Sequence, residues 1–273
     1  MMRAKKSLGQ NFLNSKSVAH DIVRAANLSE GDTVLEIGPG KGFLTKELLA
    51  SGARVIAVEK DDRMIPVLTE KFADAIKQGL FTLVHGDILE FVADQGPALA
   101  QILKAGPCQQ YKLVANIPYY LTGQIIRLFL EAKNKPERMI LMVQKEVATR
   151  IVARDKKESI LSIAVKAYGS PKLIKKVPAR YFTPAPKVDS AVLSIENISG
   201  KNFSDIATEK LFFDIVRTGF AHKRKVLVGN LKELFGENVM AVLEEASVPK
   251  NARAEDLSLT QWFTITSKYQ PHR

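Results

Sequence analysis

The sequence predicts an α/β chain: a doubly wound, mostly parallel sheet of seven strands with an antiparallel edge, followed by a small all-α unit. Three observations carry this expectation. From residue 33 to residue 143, short runs dense in Val, Ile and Leu alternate with helical segments, as in strands buried on both faces by crossover helices. The stretch "ISGKNFSD", residues 198–205, interrupts that pattern with Gly, Ser and Asn. From Asp205 onward the apolar residues recur at helical spacing.

In chain order, Ser15 or Ser17 caps a first helix whose apolar face is Val18, Ile22, Val23 and Ala26. "TVLEI" (33–37), "RVIAVE" (54–59), "LFTLV" (80–84), "KLVAN" (112–116) and "RMILMV" (138–143) read as strands, with helices near 42–50, 62–77 and 122–132 between them. Helices over 144–154 and 158–168 precede "KLIKKV" (172–177) and "SAVLSI" (190–195), which are close enough in sequence to pair antiparallel. "EKLFFDIVRTGF", "RKVLVGNLKELF", "ENVMAVLEEA" and a segment at 258–268 are helical. The expected division is a basic arm (1–14), a sheet domain (15–198) and a helical domain (199–273).

With 46% apolar and 25% charged residues in 273 positions, the composition is that of a globular protein. The longest apolar runs, such as Met139 to Val143, fall far short of the ~20 residues that cross a bilayer. No apolar signal region follows the basic N-terminus, so a cytoplasmic protein is expected. Cys108 is the only cysteine and the four histidines are scattered, so neither a disulfide nor a metal site is expected. The net charge of +11 is segregated: residues 1–20 carry four basic side chains and no acid, and residues 150–190 carry ten basic against three acidic. The rest of the chain is nearly neutral. Such segregation favours a polyanion partner, since nucleic-acid affinity comes largely from Lys and Arg placed along phosphates. Lys175, Lys176 and Lys187 are the natural candidates.

The first strand runs into "EIGPGKGF", residues 36–43. The spacing does not fit the dinucleotide fingerprint, because Phe43 stands where its third glycine belongs, and a P-loop is excluded because Gly42 follows Lys41. An acidic-x-G-x-G-x-G loop remains, with Glu36 before Gly38, Gly40 and Gly42. Glu59 ends the second strand 21 residues after Gly38, where a carboxylate can accept from both hydroxyls of a ribose; Lys60 follows it. Asp87 in "HGDIL" can accept from an adenine amino group while Ile88 packs on the ring. These positions lie at successive carboxyl ends of parallel strands, the edge where open α/β sheets bind ligands.

"NIPY" leaves the fourth strand at that edge. An amide is no base, so Asn116 suits a nucleophile that needs positioning rather than deprotonation, such as an adenine amine whose lone pair is delocalised into its ring. The Asn116 side-chain oxygen and the Ile117 carbonyl can accept its two hydrogens, and Tyr119 offers a stacking face for a splayed base. Phe182, in "YFTPAPKVDS", can form the opposite wall of an aromatic sandwich with Tyr119, the alternative being a phenylalanine packed in the core. In "KKSLGQNFL", Asn11 and the Leu13 backbone can close over a ligand bound at that edge, although entry into the N-terminal helix is the simpler reading.

The glycine loop resembles that of S-adenosylmethionine-dependent methyltransferases. Together, "GQNFL", "EIGPGKGFLT", "VEKDDR", "GDIL", "NIPYYLT", "FTPAPKVDSAVL", "FAHKRKVLVGNLK" and "RAEDLSL" resemble the ribosomal RNA adenine dimethylase family from Lys5 to about Leu259. The resemblance implies a Rossmann-like fold, S-adenosylmethionine as cofactor, and dimethylation of two adjacent adenines in a 3′-terminal hairpin loop of 16S rRNA, within an assembling small ribosomal subunit; nothing in the sequence demands a dimer, so a monomer is expected. It assigns cofactor contacts to Asn11, Leu13, Gly38, Glu59, Asp87 and Asn116, with Gly40, Lys60 and Ile88 beside them, and target-base contacts to Asn116, Tyr119 and Phe182. Ile117 stands where leucine is commoner in this subfamily. Relatives that methylate large-subunit rRNA, an idle RNA-binding assembly factor on the same fold and a NAD-dependent oxidoreductase are the alternatives.

Overall fold

The computed structural model describes residues 4–5, 8–92, 103, 110–153 and 155–269. Arg3, Lys6, Cys108, Arg154 and His272 lie outside these. The chain divides into two compact units, Met1–Ala148 with Gly169–Ile198, and Thr149–Tyr168 with Ser199–Arg273.

The first unit is built on seven strands. After the two-residue β1 (Phe12–Leu13), the sheet takes β2 (Thr33–Ile37), β3 (Arg54–Glu59), β4 (Phe81–His85), β5 (Lys112–Asn116), β6 (Arg138–Gln144), β7 (Ser170–Val177) and, past the two-residue β8 (Phe182–Thr183), β9 (Ser190–Glu196), in the order β4-β3-β2-β5-β6-β9-β7. The first five run parallel. β9 is antiparallel to both β6 and β7, so the reversed strand is the penultimate one and β7 forms the edge. β7 alternates exposed and half-buried residues, with lysines on its outer face, which suits an edge that must not recruit further strands. β2, third in that order, is buried at every position, as expected of a strand covered on both faces.

The strands predicted from the sequence match these to within two residues at each end. The helix expected over 62–77 is two helices, Met64–Lys71 and Ala73–Lys77. The break is at Phe72, whose ring packs against Phe81 at 5.1 Å between centroids and lies where a Cβ on Gly42 would meet it at 2.5 Å. Tertiary packing, not local propensity, ends the first helix there.

A polar clamp sits at the amino ends of the strands. The side chain of Lys112 is only 9% exposed, and its Nζ donates to the Asn27 carbonyl and to Asp32 Oδ2, both at 2.7 Å. Lys112→Ala leaves the carbonyl and the carboxylate without their cation and is expected to lower the unfolding free energy by about 2–4 kcal/mol, measured by urea denaturation.

The second unit differs from the expected domain boundary, because residues 149–168 belong with the C-terminal helices rather than with the sheet. Tyr168 shows why. Its ring packs on Phe203 at 5.4 Å and stacks on Phe213 at 5.9 Å, and its hydroxyl donates to Glu209. Lys157 likewise pairs with Asp256. Partners this distant in sequence leave no mark in local periodicity. The helices Ile206–Gly219, Leu227–Phe235, Val239–Glu245 and Leu259–Ser267 complete the unit. They surround a fully buried Trp262 and a Phe212–Phe263 stack at 4.6 Å. Gly219 is required beside the tryptophan, since a Cβ there would lie 2.4 Å from Trp262 Cη2.

Candidate active site

Parallel registry brings the chemistry together. Ile37 is level with Val58 on one side and Ala115 on the other, so Glu59 and Asn116 each project one residue past the end of β2, flanking the glycine loop. Succession leaves β2 toward β3 and β4 on one side and resumes with β5 and β6 on the other. This switch point is where a crevice forms in open α/β sheets.

A cleft opens there, lined among others by Asn11, Gly38, Gly40, Glu59, Lys60, Asp87, Ile88, Asn116 and Tyr119. Nine of the residues singled out from the sequence thus share one site. Leu13 and Phe182 do not line it. They face each other in the β1–β8 ladder and are buried in the core, at 6% and 3% exposure. The open aromatic wall expected of Phe182 is therefore absent from this conformation, because its ring is taken up by packing. Tyr120, 64% exposed, is the second tyrosine at the cleft.

The glycine loop is held by the N-terminal arm and by Lys71. Gly38, Gly40 and Gly42 all have positive φ, which L side chains rarely adopt. A Cβ on Gly40 would lie 2.9 Å from Phe12 Cε1, so the N-terminal arm is seated directly on the loop. Lys71 Nζ donates to the Lys41 and Gly42 carbonyls at 2.7 and 3.2 Å. Lys71 was not legible as a loop residue, because nothing in its own helix marks it.

Glu59 is 5% exposed. Its Oε2 accepts from the Gly40 N–H at 2.9 Å and its Oε1 from the Asp61 N–H at 2.8 Å. Burial raises its pKa, with those two amides opposing. Each oxygen keeps a second lone pair for a hydroxyl donor. Asp87 accepts from Lys60 Nζ at 2.6 Å and from the Leu89 N–H at 3.0 Å, so it caps the short helix Ile88–Val92 as well as lining the cleft. Burial works to raise its pKa, but Lys60 and the amide outweigh it and hold Asp87 below the usual carboxylate range.

Asn116 is oriented. Its Nδ2 donates to the Asn11 carbonyl at 2.9 Å, and since only the NH₂ end can face a carbonyl, Oδ1 is the other end of the amide and accepts no hydrogen bond among the described residues. Tyr119 is half-buried, its hydroxyl bonded to Ser190 Oγ at 2.7 Å and its pKa raised by burial. The site therefore joins the buried carboxylate of Glu59, the half-buried carboxylate of Asp87, a glycine loop whose backbone is open at Gly38 and an acceptor amide beside an aromatic ring. Such a set can bind a nucleoside and hold a base amine, and it contains no group placed as a general base.

A model of the ribosomal RNA adenine dimethylase family matches residues 1–270. The chain belongs to that family. It is an S-adenosylmethionine-dependent ribosomal RNA adenine dimethyltransferase. A "Ribosomal RNA small subunit methyltransferase A" of Dehalococcoides mccartyi is 42% identical over 271 residues, covering 98% of this chain and 89% of the relative. One of Clostridium perfringens is 40% identical over 273 residues, covering 97% and 90%. Among solved structures, the 23S rRNA methyltransferase ErmE superposes with a TM-score of 0.75 at 25% identity, covering 95% of this dimethylase and 99% of ErmE. A dimethyladenosine transferase from Plasmodium falciparum gives 0.75 at 24% identity, covering 93% and 95%, and shares the fold.

The basic segment of the dimethylase is less free than its composition implied. Lys172 is bonded to Glu196 at 2.6 Å, and Lys175 is paired with Asp21. Lys176, Arg180 and Lys187 are exposed and have no carboxylate partner among the described residues. Among the described residues no three His, Cys, Asp or Glu side chains are grouped to hold a metal, and no helix is long and apolar enough to cross a membrane.

Proposed function

We propose that this enzyme dimethylates the exocyclic amines of two adjacent adenines in the 3′-terminal hairpin loop of 16S rRNA, acting as a cytoplasmic monomer on an assembling small ribosomal subunit. The observation that carries the chemistry is the Asn116 amide, turned by Asn11 so that its oxygen is the free acceptor at the cleft. The choice of subunit rests on the relatives: about 40% identity with small-subunit methyltransferases, against 25% with ErmE.

The residues present fit the cofactor. In this reading Glu59 takes the ribose hydroxyls, Asp87 the adenine amine with Ile88 under the ring, and the Gly38–Gly40 backbone approaches the rest, with Asn11 and Lys60 at the margin. Bound there, S-adenosylmethionine supplies a methyl group activated by its sulfonium charge. The protein's own part is to position the nucleophile. Asn116 Oδ1 and the Ile117 carbonyl accept the two amine hydrogens, which localises the nitrogen lone pair, and Tyr119 stacks on the unpaired base. The proton released after transfer passes to water, because the alkylated nitrogen is strongly acidic. The test is incubation with labelled S-adenosylmethionine and unmethylated small or large ribosomal subunits, then mapping of the modified bases. Label confined to the large subunit rejects the proposal.

The cations without a carboxylate partner give a second measurable outcome. Replacing Lys176, Arg180 and Lys187 by Ala is expected to weaken RNA binding and to reduce the slope of log K against log salt by about 2. Lys175→Ala, which removes a cation already paired, is expected to leave that slope within error of the parent. Filter binding across a salt series measures both.

A further inference from the structure

Gln10 has no part in the chemistry above, yet it fastens the N-terminal arm. Its Nε2 donates to Asp61 Oδ2 at 2.8 Å and its Oε1 accepts from the Lys5 N–H at 2.8 Å, so both ends of the amide are engaged. Asp61 is a rigid anchor. It is 1% exposed, it takes Arg63 Nε at 2.8 Å and Nη2 at 2.6 Å, and its own N–H donates to Glu59 Oε1 at 2.8 Å. Lys5 Nζ adds a looser ion pair to Asp61 at 3.6 Å. One residue beyond Gln10, the Asn11 carbonyl receives Asn116 Nδ2 at 2.9 Å. The end of β3 and the end of β5 are thus linked by a path that leaves the sheet and runs through the arm.

We infer that Gln10 and Asp61 are positioning residues for Asn116. Their hydrogen bond sets where the Asn11 carbonyl stands, and that carbonyl decides which end of the Asn116 amide faces the cleft. A primary amide is nearly symmetric in shape, with donors at one end and an acceptor at the other. Flipped, it presents NH₂ to the incoming adenine NH₂, donor against donor, and the acceptor is lost. Releasing the arm therefore lowers the fraction of enzyme with Oδ1 in place, an effect that survives saturation with cofactor and RNA. This inference rests on the reading of Asn116 as the amine acceptor.

The test is a double-mutant cycle on turnover. At saturating RNA and S-adenosylmethionine, Gln10→Ala is expected to lower kcat about 10-fold in the parent enzyme, but less than about 2-fold when Asn116 is already Ala. Gln10→Glu sets a second carboxylate against Asp61 and is expected to fall at least as far as Gln10→Ala. Calorimetric binding of S-adenosylhomocysteine to each free enzyme provides the readout independent of turnover, and its loss is expected to be smaller than the loss of kcat. Equal losses of kcat in both backgrounds, or a loss confined to S-adenosylhomocysteine affinity, overturns the inference. If Asn116→Ala itself turns over like the parent, the functional reading fails instead, so the two failures are distinguishable.

Discussion

Asn116→Ala is expected to lower methyl-transfer turnover by about 100-fold or more while leaving S-adenosylmethionine affinity within a few fold. Asn116 ends β5, and one N–H of its NH₂ is committed to the Asn11 carbonyl, so the acceptor that the side chain offers a substrate is its oxygen. An acceptor for the amine hydrogens contributes little while the lone pair is delocalised and most as the nitrogen pyramidalises. It is therefore used in the transition state rather than in the ground state, and its loss appears in kcat. In the proposed reading cofactor binding is carried by other groups, chiefly Glu59, whose carboxylate is fixed by the Gly40 and Asp61 amides. Asn116→Asp keeps an acceptor but loses the donor to Asn11 and sets a carboxylate against that carbonyl, so it is expected to retain little more activity than the alanine variant. Single-turnover transfer from labelled cofactor, with calorimetry of the free enzymes, measures both quantities. Turnover equal to the parent would remove Asn116 from the role assigned to it.

Glu36→Gln is expected to change the pH dependence of stability more than any other single substitution at the site. Glu36 is 1% exposed, and its Oε2 accepts from Thr45 Oγ1 at 2.7 Å. Burial pushes its pKa up to about 8, with the Thr45 hydrogen bond opposing and the nearby Glu59 adding to the rise. The folded state therefore holds a proton that the unfolded chain releases near 4.5. The stability this carboxyl contributes is fully present below pH 4.5 and is lost as pH rises toward 8. Each pH unit in that window changes the balance by about 1.4 kcal/mol, for a total on the order of 5 kcal/mol. Glutamine mimics the neutral acid and cannot ionise. The variant should match the parent near pH 4.5 and become progressively more stable than it up to about pH 8. Urea titrations at several pH values give the difference directly. A constant difference would mean that Glu36 is ionised in the fold.

Much of the fold was legible because its signals are local. β2, β3 and β5 were read with their observed bounds, since fully buried parallel strands leave continuous Val, Ile and Leu runs in the sequence. The shared cleft of the candidate residues was legible for a related reason: parallel registry sends every strand end to one edge, so the residues that follow β2, β3, β4 and β5 must meet there. The burial of Phe182 was not legible, for the opposite reason. An aromatic in a Pro-rich loop looks available for stacking, but the β1–β8 pairing that buries it joins Leu13 to Phe182, a contact with no periodic trace. Lys175 looked free in a basic run, and its partner Asp21 lies on a helix 154 residues away.

What the sequence determined by itself is the alternation that forces a parallel sheet and the residue types its carboxyl edge must present. Both follow from the order of apolar and polar residues along the chain. What only the tertiary structure decided is which of those groups remain available. The Asn116 amide is turned by a carbonyl 105 residues away, burial raises the pKa of Glu36, and residues 149–168 join the helical unit through rings far along the chain. Orientation, protonation and unit membership depend on neighbours in space, and pairwise contacts between distant residues are not encoded in local pattern.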